Sequence, residues 1–328
     1  MLRFIGLDIG TTTISAVAID GENGKVLKAI TVDNDTAVFS ENPARKMQDP
    51  IAILNKVLGL KKQLADEFAP IDAIGVTGQM HGILYLNKDG NPVSPLYTWQ
   101  DASGGLPYKN STYTEYLTTL TGYSMASGYG LVTDYVNRDL GGIPDDAVTF
   151  CTIHDYIVMA LTGRSKPLIH CSNAASLGCF LIEKGIFDPM AIEKLGVDAH
   201  FLPEVTSNID VAGYDPNGIP VAVAIGDNQA SVIGSVKGEN CALINIGTGS
   251  QVSVITHKPV LFNEGEVRPL THNSYMLVGA PLCGGRSFAL LHSFFKQCAA
   301  LFEGNTEKIY AVMDTIAEDK PTLHSLSV

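Results

Sequence analysis

The chain has 328 residues, 45% of them hydrophobic and 17% charged, with a formal net charge of −12 at pH 7. That acidic balance, with no run of Lys and Arg, argues against a nucleic-acid-binding surface, and no apolar stretch approaches the length that crosses a bilayer. The length allows about two domains. Six scattered cysteines (Cys151, Cys171, Cys179, Cys241, Cys283, Cys298) form no C-x-x-C pair, which argues for reduced thiols and against a disulfide framework or zinc site. With no leader visible before Arg3-Phe4-Ile5-Gly6, a cytoplasmic protein is expected.

The opening predicts a β-meander: strands over 4–9, 14–19 and 25–32, with Gly21-Glu22-Asn23-Gly24 as the second turn. A helix is expected next, capped by Asp49 with Pro50 at its first position and with Ile51, Leu54, Leu58, Leu64 and Phe68 as its apolar face. Strands at 72–77 and 83–86 follow, the latter closed by a turn at Lys88-Asp89-Gly90. Helices are predicted at 114–121, 131–140, 154–162 and 188–195, each stopped by a glycine (Gly122, Gly141, Gly163, Gly196). Grouped strands with helices between them predict a layered α/β fold.

Residues 4–19, FIGLDIGTTTISAVAI, align with 241–256, CALINIGTGSQVSVIT, and I-G-T recurs at the same place in each. The strand, I-G-T turn and second strand are best explained as a duplicated unit; unrelated hairpins with a common turn preference are the alternative. The second copy opens near Gly226, so the expected domains are 1–224 and 225–328. Beyond it, 286–302 reads as an amphipathic helix and 305–318 as another.

An I-G-T turn can aim backbone N–H groups and hydroxyls at one point, a nest for phosphate, and a carboxylate beside it can serve the Mg²⁺ that travels with ATP. Asp8 is therefore the candidate metal-linked acid, and Thr11, Thr12 and Thr13 are the candidate phosphate contacts. In the second turn, Gly247, Thr248 and Gly249 take that role, with Asn245 where the acid would be. A polar hairpin turn is the bland alternative for either one.

Asp227, in IGDNQASVIG (225–234), follows an apolar run and precedes a helix. An acid there can orient a hydroxyl and take its proton late in phosphoryl transfer, although a helix cap explains it equally well in isolation. In GVTGQMHGILYL (75–86) and YTWQDAS (97–103), Gln79, His81 and Asp101 can hydrogen-bond hydroxyls, while Met80 and Trp99 can pack on a sugar's apolar face. A satisfied structural histidine and a core tryptophan are the alternatives.

Taken together, D-I-G-T, G-Q-M-H-G, W-Q-D, G-D-N-Q-A and the second G-T turn resemble, in order and spacing, the FGGY carbohydrate kinases over nearly the whole chain. SNAASLGCF (172–180), GDNQASVIGSV (226–236) and LVGAPLCGG (277–285) resemble the sedoheptulokinase branch more than the xylulokinases. The resemblance implies an actin-like, ribonuclease-H-like ATPase fold of two related domains with a cleft between them, the second incomplete. It implies Asp227 as base, Asp8 as the magnesium-linked acid, and Thr11 to Thr13 with Gly247 to Gly249 as phosphate turns. Gln79, Met80, His81, Trp99, Asp101 and Asn228 become the substrate-binding set, a small sugar the ligand, and ATP with Mg²⁺ the cofactors.

Ketose phosphorylation follows, sedoheptulose to its 7-phosphate first and xylulose second. No G-G-G run is present for the family's adenosine pocket, so a catalytically silent sugar-binding fragment is the alternative of another class. Apolar surface left open on 286–302 would favour self-association. Actin-like filament proteins and chaperone ATPases have paired phosphate turns but no use for G-Q-M-H-G or W-Q-D.

Overall fold

The computed structural model describes residues 2–236, 241–246, 250–260, 265–271, 273–279, 285–301 and 308–318. Three antiparallel strands open the chain: β1 (Arg3–Ile9), β2 (Thr13–Asp20) and β3 (Val26–Asp33). Helix α1 (Pro50–Phe68) starts as its sequence predicts, with the Asp49 carboxylate accepting from the N–H groups of Ile51 and Ala52. Its buried face differs from the expected one. Ile53, Val57, Leu60 and Leu64 are buried, whereas Ile51 and Leu58 are exposed. Apolar residues surround much of this helix, so the sheet beneath it, and not the periodicity alone, selects the arc that is covered.

Strands β4 (Ala73–Gly78) and β5 (Leu84–Leu86) follow, then α2 (Tyr113–Thr121), α3 (Gly130–Asp139), α4 (Ile153–Thr162), α5 (Cys171–Ser176) and α6 (Pro189–Lys194). The four glycines predicted as stops all have positive φ, between 68° and 81°, where a side chain would be strained. Strands β6 (Val211–Tyr214), β7 (Pro220–Ala222) and β8 (Ile225–Gly226) return to the first sheet before α7 (Asp227–Ser235). The sheet order is β6-β7-β4-β1-β2-β3, with β8 also paired to β4. Strands β1, β7 and β8 all run parallel to β4.

Alternation divides the first sheet. Ile5, Leu7, Ile9, Ile14, Ala16, Ile74 and Val76 pack against Ile53, Val57 and Leu64 of α1 and Ile157 and Leu161 of α4. A second core, with Ile83, Tyr85, Leu117, Leu131, Val132 and Phe150, gathers α2, α3, α5 and α6. Gly6, Asp8, Gly75 and Thr77 fall on the other face of the first sheet, against a cavity of about 260 Å³.

The second sheet is antiparallel: β9 (Ala242–Ile246), β10 (Ser250–Thr256), β11 (Glu266–Thr271) and β12 (Ser274–Gly279), in the order β9-β10-β12-β11. The repeated hairpin is present in both halves, but its register is not. Ile9 pairs with Ile14, whereas Ile246 pairs with Ser250, so the second hairpin closes one residue sooner. Helices α8 (Gly285–Leu301) and α9 (Ile309–Glu318) follow, with His292 stacked on Tyr310 at 3.6 Å. Phe288, Leu291, Phe294 and Phe295 of α8 are exposed. No helix among the described residues is long and apolar enough to cross a membrane.

Candidate functional site

Parallel strands β1, β4 and β8 deliver their carboxyl ends to one edge of the sheet, where ligands of open α/β sheets bind. Ladder pairing places Asp8 beside Thr77 and Thr77 beside Ile225, so Asp8 and the strand that leads into Asp227 are two positions apart across the sheet. Thr77 Oγ1 donates to the Ile225 carbonyl at 2.8 Å. Asp227 is the first residue of α7, after the N-cap Gly226, and its Oδ1 accepts from the N–H of Asn228 at 2.7 Å. Burial pushes its carboxyl up to about 6; Asp8 adds to the rise, while the Asn228 N–H and Arg268 oppose it. Such an acid is ionised at neutral pH and basic enough to accept a proton. Desolvation raises Asp8 as well, although its side chain reaches the surface.

The first turn is tied to the G-Q-M-H-G and W-Q-D segments. Trp99 Nε1 donates to Thr11 Oγ1 at 2.8 Å, and Thr11 Oγ1 donates to Gln79 Oε1 at 3.2 Å. Gln79 Nε2 then donates to Gln48 Oε1, and Gln48 Nε2 to the Thr11 carbonyl, both at 2.8 Å. Buried Gln79 is thus a brace beneath the turn. Trp99 is 47% exposed, which rules out a core aromatic. Thr12 and Thr13 are exposed at the turn, whereas Gly247, Thr248 and Gly249 lie outside the described residues.

Asp101 is fully buried. Its Oδ1 accepts from the N–H and Oγ of Ser103, its Oδ2 from the Lys46 N–H at 3.4 Å, and Arg45 Nη1 stands 3.6 Å away. These partners enclose the carboxylate and join the loop after Trp99 to the segment before α1.

Met80 and His81 line a cavity of about 380 Å³ with Tyr129, Ser176, Glu266 and Arg268, within the range of small-molecule sites. The cavity walls come from both sheets' surroundings, since Glu266 and Arg268 belong to β11. His81 has a φ of 71°, rare for a residue with a side chain, and stacks on Tyr129 with centroids 4.9 Å apart and planes 2° from parallel. Its Nδ1 stands 2.7 Å from the Ser176 carbonyl. A carbonyl only accepts, so Nδ1 carries the proton and the neutral ring keeps Nε2 as an acceptor. Burial lowers the His81 pKa, which favours that neutral form. Met80 is the link to Asp227: Asn228 Nδ2 lies 3.6 Å from its sulfur, and a methyl on Gly226 would stand 2.5 Å from the same atom.

Sequence reasoning missed Tyr129, Ser172, Asn173, Ser176, Glu266 and Arg268. Three of these lie within SNAASLGCF, a stretch distinctive enough to quote but without an obvious chemistry. Nothing in the local sequence marks Arg268, whose guanidinium pairs with Glu266 at 2.6 Å on its own strand.

Behind the site, Asp155 is buried on α4, and its Oδ2 accepts from Thr152 Oγ1 at 2.6 Å. Desolvation pushes its pKa up to about 7, against the opposing bonds from Thr152 and the nearby Asn173 amide. The folded state therefore holds this proton between about pH 4 and 7 where the unfolded chain has lost it, and stability falls as pH rises through that window. Asp155→Asn is expected to stabilise the protein by about 1–3 kcal/mol at pH 8 and by little at pH 4. Urea unfolding at the two pH values checks this; an equal effect at both would refute it.

Three kinds of comparison agree with this arrangement. Residues 3–234 match the FGGY family of carbohydrate kinases, N-terminal domain. Sedoheptulokinase from Mus musculus is 28% identical over 376 residues, covering 98% of this chain and 75% of the relative. A xylulose kinase from Staphylococcus xylosus is 24% identical, covering 89% of this chain and 63% of the relative. Among solved structures, ligand-bound xylulose kinase from Lactobacillus acidophilus superposes with a TM-score of 0.79 at 19% identity, covering 96% of this chain and 66% of that one. That likeness carries the fold, which is the actin-like ATPase fold expected from the motifs. The family match extends from the first strand through Asp227 and most of α7, and so takes in the D-I-G-T turn, His81 and Asp227 together. On these grounds the chain belongs to the FGGY family of carbohydrate kinases.

Proposed function

We propose that the protein is an ATP-dependent ketose kinase that phosphorylates sedoheptulose to sedoheptulose 7-phosphate, with xylulose as the second candidate. The observation that carries this reading is the contact between the base loop and the sugar cavity. Met80 lines the cavity that holds His81 and also touches the Gly226-Asp227-Asn228 segment. The similarity to sedoheptulokinases over 98% of the chain favours the seven-carbon ketose. The 380 Å³ cavity accommodates either sugar.

In this reading Asp227 orients the attacking hydroxyl and accepts its proton, while Asn228 and His81 Nε2 hold neighbouring hydroxyls and Met80 packs on the carbon skeleton. Trp99, anchored through Thr11, presents its exposed ring at the first turn. Gln79 and Asp101 act indirectly, bracing the first turn and the tryptophan loop. Thr11, Thr12 and Thr13 face the donor phosphates, with Gly247, Thr248 and Gly249 assigned opposite them by the family pattern. Mg²⁺-ATP, when bound, supplies the phosphoryl group and neutralises the charge that builds on it. The surroundings suit a cation, because Asp8 and Asp227 are carboxylates close enough for one to raise the other. Asp8 is the residue that would hold the metal, directly or through water. In domain terms, residues 1–224 carry most of the sugar site and the first turn, and 225–328 carry the base, Asn228, the cavity residues Glu266 and Arg268, and the second turn.

Calorimetric titration of the chain with sedoheptulose and with xylulose, each with and without Mg²⁺-ATP, tests the assignment. Tighter binding of sedoheptulose supports it, tighter xylulose shifts it to the second candidate, and binding of neither overturns the sugar site. His81→Ala is expected to weaken sugar binding by about 10-fold, the loss of one hydrogen bond to a hydroxyl, and to spare nucleotide affinity. The reverse pattern in the same titrations would mean that the two ligands' sites are exchanged.

A further inference from the structure

The stretch Ser172-Asn173-Ala174-Ala175-Ser176 stands out in the sequence, yet no step of phosphoryl transfer calls for it. In the fold it is α5, a helix of six residues wedged between the base strand and the histidine. Ser172, Asn173 and Ser176 are all buried, and each bonds the site through one side-chain polar atom.

Asn173 Nδ2 donates to the Ala224 carbonyl at 3.2 Å, and Ser172 Oγ accepts the Gly226 N–H at 3.4 Å. With Thr77 on the Ile225 carbonyl, three consecutive residues before Asp227 are each held by a side chain from outside their own strand. The other end of α5 does the same for His81. Ser176 Oγ accepts the His81 N–H at 3.2 Å and donates to the Asn173 carbonyl at 2.7 Å, while the Ser176 carbonyl takes the ring Nδ1 proton. These contacts maintain a φ that a histidine would otherwise leave.

We propose that α5 is the positioning element of the site: Ser172 and Asn173 fix the strand end that carries Asp227, Ser176 fixes His81, and the helix between them sets their separation. No residue of α5 needs to touch a ligand for this. Behind the helix the Asn173 amide lies near both His154 and Asp155. His170 backs Ser172, its Nδ1 accepting the Ser172 N–H at 3.2 Å with Ser172 Oγ 2.8 Å away. The proposal rests on Asp227 and His81 as the groups a sugar bridges. Its test is independent of sugar binding.

Two spectroscopic readouts in the full chain separate positioning from plain packing. The Asp227 carboxyl is followed by carbon NMR across pH, assigned with Asp227→Asn, and the His81 ring by its nitrogen shifts. The charged groups that face Asp227 are Asp8 and Arg268, and both stay in every variant. Asn173→Ala is expected to loosen the strand end, admit water to the carboxylate and lower its midpoint by about one pH unit, with the His81 signature unchanged. Ser176→Ala is expected to do the opposite: it keeps the carbonyl but removes the hydroxyl that accepts the His81 N–H, so the backbone relaxes from its positive φ, the ring turns off the Ser176 carbonyl and the single Nδ1–H tautomer gives way to a mixture, while the Asp227 midpoint stays. Should Asn173→Ala not fold, Ser172→Ala removes one anchor of the same strand and must shift Asp227 in the same direction. If these folded variants leave both signals in place, or disturb both equally, α5 is ordinary packing and the proposal is wrong. If the signals separate as expected but neither ketose binds the parent chain, the positioning stands and the sugar assignment fails.

Discussion

Asp227→Asn is expected to lower kcat by about 10²- to 10⁴-fold, the usual contribution of a positioned general base, while sugar affinity changes little. Asparagine is nearly isosteric, and its Oδ1 still accepts the Asn228 N–H that the carboxylate accepts now. The sugar contacts proposed for Met80, His81 and Asn228 are untouched by the substitution, so binding should survive the loss of chemistry. Unchanged turnover in an active preparation would remove Asp227 from the mechanism. The same variant has a second signature. The Asp227 pKa is about 6 when folded, raised mainly by burial, against an ordinary value of 3.8. Between about pH 4 and 6 the folded state keeps a proton that the unfolded chain releases, so this carboxylate's contribution becomes unfavourable as pH rises through 6. Asparagine carries no charge to desolvate. The variant should therefore be more stable than the parent by about 1–3 kcal/mol above pH 7, with the gain fading towards pH 4. A residue that stabilises the fold when it is disabled is one retained for another reason.

Much of the fold was legible because short-range signals dominate it. Asp49 before Pro50, the four glycine stops and the alternation of β1 and β2 each specify their own stretch of backbone, and tertiary packing agrees with them. The failures have a common physical origin. Helix α1 has apolar residues on more than one arc, and only the sheet decides that Ile53 and Val57 go inward while Ile51 and Leu58 stay out. The second hairpin shares its I-G-T letters with the first but pairs one residue out of step, a difference of loop closure that identities do not encode.

At the candidate site, the residue type and strand-end position of Asp8, Met80, His81 and Asp227 drew attention to them, and the structure places Asp8 and Asp227 at one edge of the sheet and Met80 and His81 in one cavity. Gln79 and Asp101 show a limit of the sequence, since a polar side chain among strand residues looks the same whether it meets a hydroxyl of a sugar or of the protein. Thr11 and Gln48 engage the first, and Ser103 and Arg45 the second. Arg268 and Tyr129 reach the cavity from β11 and from the start of α3, separations in sequence over which no local pattern extends.

Gly128→Ala is expected to be among the most damaging single-methyl changes in the chain, and its contrast with Gly122→Ala makes the claim testable. Both glycines have φ above 80°, so both substitutions carry the strain of a side chain in a left-handed conformation, about 1 kcal/mol or somewhat more. At Gly122 the added Cβ meets nothing within 4 Å, and strain is the whole effect. At Gly128 it would stand 2.0 Å from the Trp99 carbonyl oxygen and 2.7 Å from its carbonyl carbon. Those are backbone atoms, which no rotamer change can move aside, so one of the two loops must shift. We expect a further loss of at least about 2 kcal/mol, giving a total above 3 for Gly128→Ala against 1–2 for Gly122→Ala in urea unfolding. The shift also has a functional direction. Trp99 holds Thr11 through its indole N–H, and Gly128 precedes Tyr129, on which the His81 ring is stacked. Separating the two loops displaces the tryptophan and the histidine together, so Gly128→Ala should weaken sugar binding even where the protein remains folded, and Gly122→Ala should not. Equal destabilisation by the two substitutions would show that the loop at Trp99 yields freely and that the contact is no constraint on the cavity.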